Sequence, residues 1–242
     1  MTLAGLLAAW WLAVRCFAIP AYLLPDPGSV ARALWSNRAL LLDSTGTTLA
    51  ETVMGLVAGT LVGAGCALLM VLSARVERWL MPIVLLSQAV PIFALAPLLV
   101  LWFGFGMASK VVMAVLVIFF PVTAAFADGL RRTAPGWLEL GRTMGASPAA
   151  LLWRVRLPAA LPAFGSGLRI AASIAPIGAV VGEWVGASSG LGYVMLNANA
   201  RTRTDLMFAA LAVLAAMTML LWVLTDRLLR RLIFWAPEEG GG

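Results

Sequence analysis

Chemistry has few places to happen in this chain of 242 residues. Histidine is absent, which removes the commonest general base and metal ligand. The two cysteines, Cys16 and Cys66, stand in apolar runs without CxxC spacing, so neither a disulfide framework nor a metal site is suggested. No G-x-x-x-x-G-K-[ST] loop that would cradle phosphates occurs, and no paired-carboxylate or Ser/Lys site stands out. No catalytic residue and no metal ligand is therefore expected. What remains are polar and helix-breaking residues set in or beside apolar segments: Ser87, Gln88, Pro91, Pro176, Glu183, Asn197 and Asn199. Prolines free backbone carbonyls, which a packed neighbour or a watery cavity must then satisfy, and a translocation path is one such cavity. Glu183 has no basic residue close by in its own apolar run. It is either a working carboxylate inside a membrane or a hydrated residue at the outer boundary.

The elements that position these residues are set by composition. Hydrophobic residues make up 62% of the chain and charged residues 12%, more apolar surface than one soluble core can hide. An all-α, polytopic membrane protein is expected, with six spans. The first is Leu3 to Pro20, read as a retained span because no basic cluster precedes it and no small-x-small cleavage pattern follows. Pro20, Pro25 and Pro27 break it, and an amphipathic interfacial helix follows through Val30, Ala33, Leu34 and Leu40 to Leu42. The second span is Thr47 to Ser73, with Gly55, Gly59 and Gly63 forming a smooth face for internal packing and Glu51 hydrated near the outer end. Leu80 to Phe103 is the third, broken at Pro91 and Pro97. Val111 to Ala127, Ala163 to Val185 and Leu206 to Leu224 complete the set, with an outer loop from Gly186 to Arg203. This divides the chain into residues 1–45, a core of 46–231 containing an inner loop of 128–162, and a C-terminal tail of 232–242, expected to be disordered from Pro237 to Gly242.

Between the fourth and fifth spans lies the polar stretch Glu139 to Pro158, which must lie in water. Its signals describe a knuckle of two short helices. Pro135 suits a first turn, and Gly145 supplies a left-handed stop. Ser147 and Pro148 form a cap and first residue, and the second helix ends around Leu157 and Pro158. Eleven arginines, including Arg75, Arg131, Arg142, Arg154 and Arg227, share the side of this stretch, whereas only Arg15, Arg32, Arg38, Lys110, Arg201 and Arg203 face the other. The positive-inside rule makes the knuckle and both termini cytoplasmic and explains the net charge of +6 without nucleic acid.

Glu139, Gly145, Val155, Leu157 and Pro158 also fall at the spacing of the EAA loop of ABC importer permeases, although Leu140 and Gly141 stand where that loop usually has two alanines. Pro91, Ala94, Pro97, Leu98, Trp102, Phe103, Gly104, Gly106, Ser109 and Lys110 fit a pattern typical of the nitrate/sulfonate/taurine branch of that family. Leu24 to Pro27 and Ser189 to Tyr193 resemble two further elements of it. The resemblance covers about Leu24 to Arg231. It implies that Glu139, Gly145, Ala146, Ser147, Pro148, Leu157 and Pro158 form a coupling helix docked on an ATPase. It further implies two ATPase subunits holding ATP and Mg, with no cofactor on this chain. A second permease copy, a periplasmic or lipid-anchored solute-binding protein and a bacterial inner membrane complete the expectation. The run from Pro176 to Ala210 is most similar to hydroxymethylpyrimidine permeases, with sulfonate, taurine, nitrate and riboflavin as alternatives. An ATP-independent secondary transporter or channel is the alternative class, but no inverted repeat and few central charges are found.

Overall fold

A computed structural model describes residues 2–235, with side chains from residue 5 onward. Every regular element among them is helical. In order these are α1 (Thr2–Cys16), α2 (Pro27–Ser36), α3 (Arg38–Leu72), α4 (Ala74–Ala89), α5 (Ile92–Phe103), α6 (Met107–Arg131), α7 (Pro135–Thr143), α8 (Pro148–Leu151), α9 (Leu157–Gly186), α10 (Leu191–Ala200) and α11 (Thr204–Leu232).

Helix α6 is the centre, gripped between α3 on one side and α9 on the other. Small residues let the three backbones approach. A Cβ on Gly55 would lie 2.3 Å from Ala114 Cβ, and one on Gly178 would lie 2.5 Å from Ala114 Cα, so Ala114 is clamped between two glycines. The Gly55, Gly59 and Gly63 stripe continues along α6 past Ile118 and Val122, which makes it an internal packing face, as its four-residue spacing implies. Thr123 donates a hydrogen bond to the Gly63 carbonyl at 3.2 Å, tying α6 to α3.

Several sequence boundaries move. Four helices, α3, α6, α8 through α9, and α11, are long and apolar enough to cross a membrane, and α4 with α5 makes a fifth if the bent pair is one span. The expected first span is too short: α1 is 15 residues, about 22 Å of helix against the roughly 30 Å of a bilayer core. The expected interfacial helix is divided, because α2 ends at Ser36 and Leu40 to Leu42 already belong to the 35-residue α3. The boundary at residues 45/46 therefore falls inside α3. In the third segment the chain bends by 105° at Val90 and Pro91, which take extended dihedrals, whereas Pro97 sits inside α5 without breaking it. The expected outer loop contains the ten-residue helix α10. The tail from residue 236 lies outside the described residues.

Helices α8 and α9 are not separated at Leu157 and Pro158. Leu152–Arg156 form a π-helical turn in which the Leu157 N–H reaches back to the Leu152 carbonyl, and the helix runs on into α9. Proline has no N–H to donate, and the wider turn ahead of Pro158 absorbs that missing bond inside a continuous helix. The helix of the fifth span thus begins at Pro148, fifteen residues earlier than the apolar run alone indicates.

Candidate functional site

The polar stretch folds into the expected corner. Helix α7 ends in a Schellman motif: the Gly145 N–H bonds to the Arg142 carbonyl and the Ala146 N–H to the Gly141 carbonyl, both at 2.9 Å, with Gly145 at φ +77°. The Ser147 hydroxyl then caps α8 by accepting from the Ala150 N–H at 3.2 Å, and Pro148 takes the first helical position. Gly141 has a local reason to differ from alanine. A Cβ there would lie 2.5 Å from Leu151 Cδ2, the side chain that packs α8 back on α7. Helix α7 buries no residue, and Trp137, Leu140 and Met144 lie exposed at helical spacing beside the exposed Glu139. Leu157 and Pro158 are half-buried one turn further, at the start of α9.

A second cluster lies in the interior, and most of it was not visible in the sequence. Glu51, expected to be hydrated, is fully buried on α3 and forms an ion pair with Lys110 of α6, Nζ to Oε1 at 2.9 Å. Lys110, expected on the outer surface, is only 6% exposed because its stem lies against Gly182 of α9. The pair is electrostatic: neither Glu51 oxygen has a well-aligned hydrogen-bond donor among the described residues. Glu183 is beside it and 1% exposed, so a hydrated boundary position is excluded. Its Oε1 accepts from the Thr48 hydroxyl at 2.6 Å and its Oε2 from the Gly192 N–H at 2.5 Å, while Thr48 Oγ1 accepts from the Leu191 N–H at 2.8 Å. Two groups from α3 and α9 thereby satisfy the first free N–H groups of α10. Gly190, at φ +106°, permits the approach, since any Cβ there would collide with the Glu183 carboxylate. The recognisable signal was an S-G-L-G element following a carboxylate. Lys110 stood out only as part of a family pattern that says nothing of its partner, and Thr48 carried no signal of its own.

A groove runs between α9 and α11. Its half nearer the knuckle is a cavity of about 1040 Å³ whose charged lining includes Asp226, held between Arg169 Nε at 2.7 Å and Arg230 Nε at 2.9 Å. The other half is a cavity of about 280 Å³ lined from α5, α9, α10 and α11. Of the polar and proline candidates, Pro176 lines this second cavity. Ser87 donates to the Val84 carbonyl and Gln88 is exposed on α4, with Pro91 at the bend. Asn197 donates to the Tyr193 carbonyl within α10, and Asn199 is exposed at its end. None of these five touches either cavity.

Long apolar helices around a glycine-packed centre, with a lengthwise groove and a polar corner at one end, define a membrane transport component. The chain belongs to the family of binding-protein-dependent transport system inner membrane components, the type I ABC importer permeases, whose model matches residues 55–234. It is 54% identical to a probable ABC transporter permease protein of Haemophilus influenzae, over 95% of this chain and 94% of the relative. It is 37% identical to a formylaminopyrimidine transport permease protein of Halalkalibacterium halodurans, over 97% and 94%. In fold it is similar to a chain of an inward-facing methionine ABC transporter, with a TM-score of 0.71 over 81% of this chain and 97% of that one at 23% identity.

Proposed function

We propose that this permease subunit imports a small pyrimidine of the thiamine-precursor type, hydroxymethylpyrimidine or a close analogue, driven by ATP hydrolysis on a separate subunit. The α7–α8 knuckle is the coupling element in this reading. The observation that carries it is the exposed stripe of Trp137, Leu140 and Met144, at 59%, 60% and 78% exposure, on a helix that buries nothing of its own chain. Apolar residues in a row beside a carboxylate, on a polar corner, suit a partner's groove better than water. Two ATPase subunits, each holding ATP and Mg, would dock on two such corners of a permease pair. A periplasmic or lipid-anchored solute-binding protein would deliver to the opposite face, in a bacterial inner membrane with the knuckle and both termini cytoplasmic. The permease makes no covalent change. It alternates between two conformations that its partners bind unequally.

Support for the substrate comes from the run between Pro176 and Ala210 and from the relative named for formylaminopyrimidine. Uptake into proteoliposomes with the cognate binding protein and ATPase tests it: labelled hydroxymethylpyrimidine should accumulate only with ATP. Accumulation of taurine, a sulfonate, nitrate or riboflavin instead would replace the substrate. Accumulation without any ATPase subunit would overturn the coupling assignment.

A further inference from the structure

The two cavities are stations along one groove. On α9 the inner one reaches Arg169 and the outer one begins at Ser173; on α11 the inner one ends at Trp222 and the outer one begins at Thr218. Four residues of helix, about 6 Å, separate them on each wall. Their chemistry differs. Arg132, Arg169 and Arg230 line the inner station against Asp128 and Asp226. Asp128 is shared with Arg131, 3.9 Å away and outside the cavity, and Arg132 has no hydrogen-bond or ion-pair partner among the described residues. Positive charge is in excess. Asp226 holds Arg169 and Arg230 on its two oxygens, which fixes both guanidiniums beside one point of the wall. Arg169 gives only its Nε–H to that carboxylate, so the N–H groups of its two terminal nitrogens are left for another acceptor. Trp137 and Trp222 stand on the same lining, a residue type that settles at the level of lipid headgroups. Among the described residues no charged group lines the outer station, and it lies open, with Phe93, Ile177, Trp184 and Leu211 each 40% exposed or more.

We propose that this groove holds an anionic phospholipid from the leaflet on the knuckle side. Its phosphate bonds to Arg169 and Arg230, Arg132 supplies the surplus charge, and one acyl chain lies along the open apolar trough between α9 and α11. From Arg169 to Trp184 the α9 wall runs about 22 Å, more than the roughly 15 Å depth of hydrocarbon in one leaflet, so the trough takes a whole chain. The inference rests on the orientation proposed above, which makes this leaflet the cytoplasmic one, where anionic headgroups collect and basic pockets between helices bind them. A free phosphate satisfies the arginines but leaves the trough uncovered. A zwitterionic headgroup brings a cation to a site whose two carboxylates already have arginine partners. A second copy meeting this groove about a twofold axis through it would set the same arginines against one another.

The test is native mass spectrometry of the permease with its ATPase subunits, delipidated and titrated with phosphatidylglycerol or phosphatidylcholine of the same chains. Phosphatidylglycerol should be retained preferentially, one molecule per permease chain. Arg132→Gln should cut that preference about fivefold, the worth of one interfacial cation, whereas Arg75→Gln, the same charge change outside the groove, should leave it intact. The paired change Arg169→Gln with Asp226→Asn keeps the net charge and leaves no buried carboxylate unpaired; it should cut the preference at least as much. Ile177→Trp, at an exposed position in the trough, should weaken retention of both lipids. Four results would each overturn the site: equal retention of the two lipids, equal effects of Arg75→Gln and Arg132→Gln, displacement by glycerol 3-phosphate as readily as by phosphatidylglycerol, or lipid held by a single chain but excluded from a permease pair. Failure of the proposed orientation is separate, because it would show as Trp137→Cys labelled from outside intact cells, whatever lipid the purified complex retains.

Discussion

Removing Lys110 is the perturbation that most directly probes the interior of this bundle. Lys110 faces Glu51 at 2.9 Å, with side-chain exposures of 8% and 0%, and Glu183 is the next carboxylate. Lys110→Met leaves two buried carboxyl groups with no cation, and breaking a buried pair from one side costs about 3–5 kcal/mol. A charge left at the centre of a membrane helix gives a similar figure, about 2.5–3.5 kcal/mol. Glu51→Gln should cost less, about 1–3 kcal/mol, because the amide keeps the shape and its oxygen can still accept from the Lys110 ammonium. The double variant removes both charges together and should lie closer to wild type than Lys110→Met alone, giving a coupling of about 2 kcal/mol. The half-buried Cys66 on α3 supplies the assay. In a Cys16→Ser background, thiol labelling of Cys66 follows unfolding as sodium dodecyl sulfate is raised in mixed micelles. If the double variant loses the sum of the two single losses, within about 0.5 kcal/mol, the two groups are independent and the reasoning is wrong.

Other outcomes follow from individual contacts. Gly178→Val drives a Cβ to 2.5 Å from Ala114 Cα and should cost about 1–3 kcal/mol in the same unfolding assay, whereas Gly65→Ala, with nothing within 4 Å, should be silent. Gly145→Ala must hold an L residue at φ +77°, a strain of about 1–2 kcal/mol local to the knuckle; ATPase pulled down with the permease should fall while Gly145→Asn retains it. At the start of α2, desolvation pushes the Asp26 carboxyl up. The Ser29 and Gly28 N–H groups and the Arg32 charge outweigh it and hold the group below its ordinary value. The depressed folded value means that this cap contributes fully above the unfolded pKa of about 3.9 and is lost as pH falls through the folded one. Amide exchange in the first turn of α2 should therefore accelerate selectively below about pH 4 and lose that pH dependence in Asp26→Asn.

Local signals were legible where backbone chemistry dominates. Gly145, Ser147 and Pro148 each have one physical preference, and the knuckle they build stands where the sequence puts it. The glycine stripe on α3 was readable for the same reason, since only close backbones require it. Long-range pairing was not. Thr48 and Glu183 are 135 residues apart, and nothing in either segment points to the other. Glu51 and Lys110 looked like boundary charges because apolar runs end near them, but helices extend past their apolar runs when a partner satisfies the charge. Pro158 misled for a related reason: proline stops a helix only if no wider turn can absorb its missing donor. The groove residues Ser173 and Thr218 sit in runs that read simply as apolar, so only the packing of α9 beside α11 sets them together.

The unbroken passage from Pro148 to Gly186 is 39 residues, nearly 60 Å of rod with no loop in it. One end is the surface corner and the other carries Glu183 and the cap of α10, while the groove lines its flank. If the corner is the coupling element, a tilt imposed on it would be carried along this helix, as with a lever, rather than through a loop. The widened turn at Leu152–Arg156 and the internal prolines Pro162 and Pro176 are the compliant joints along that rod, and Ala146 to Ser147 is where the lever meets its handle. Under the proposed coupling role, opening and closing of the groove would be a matter of leverage along one helix rather than of signals relayed between several.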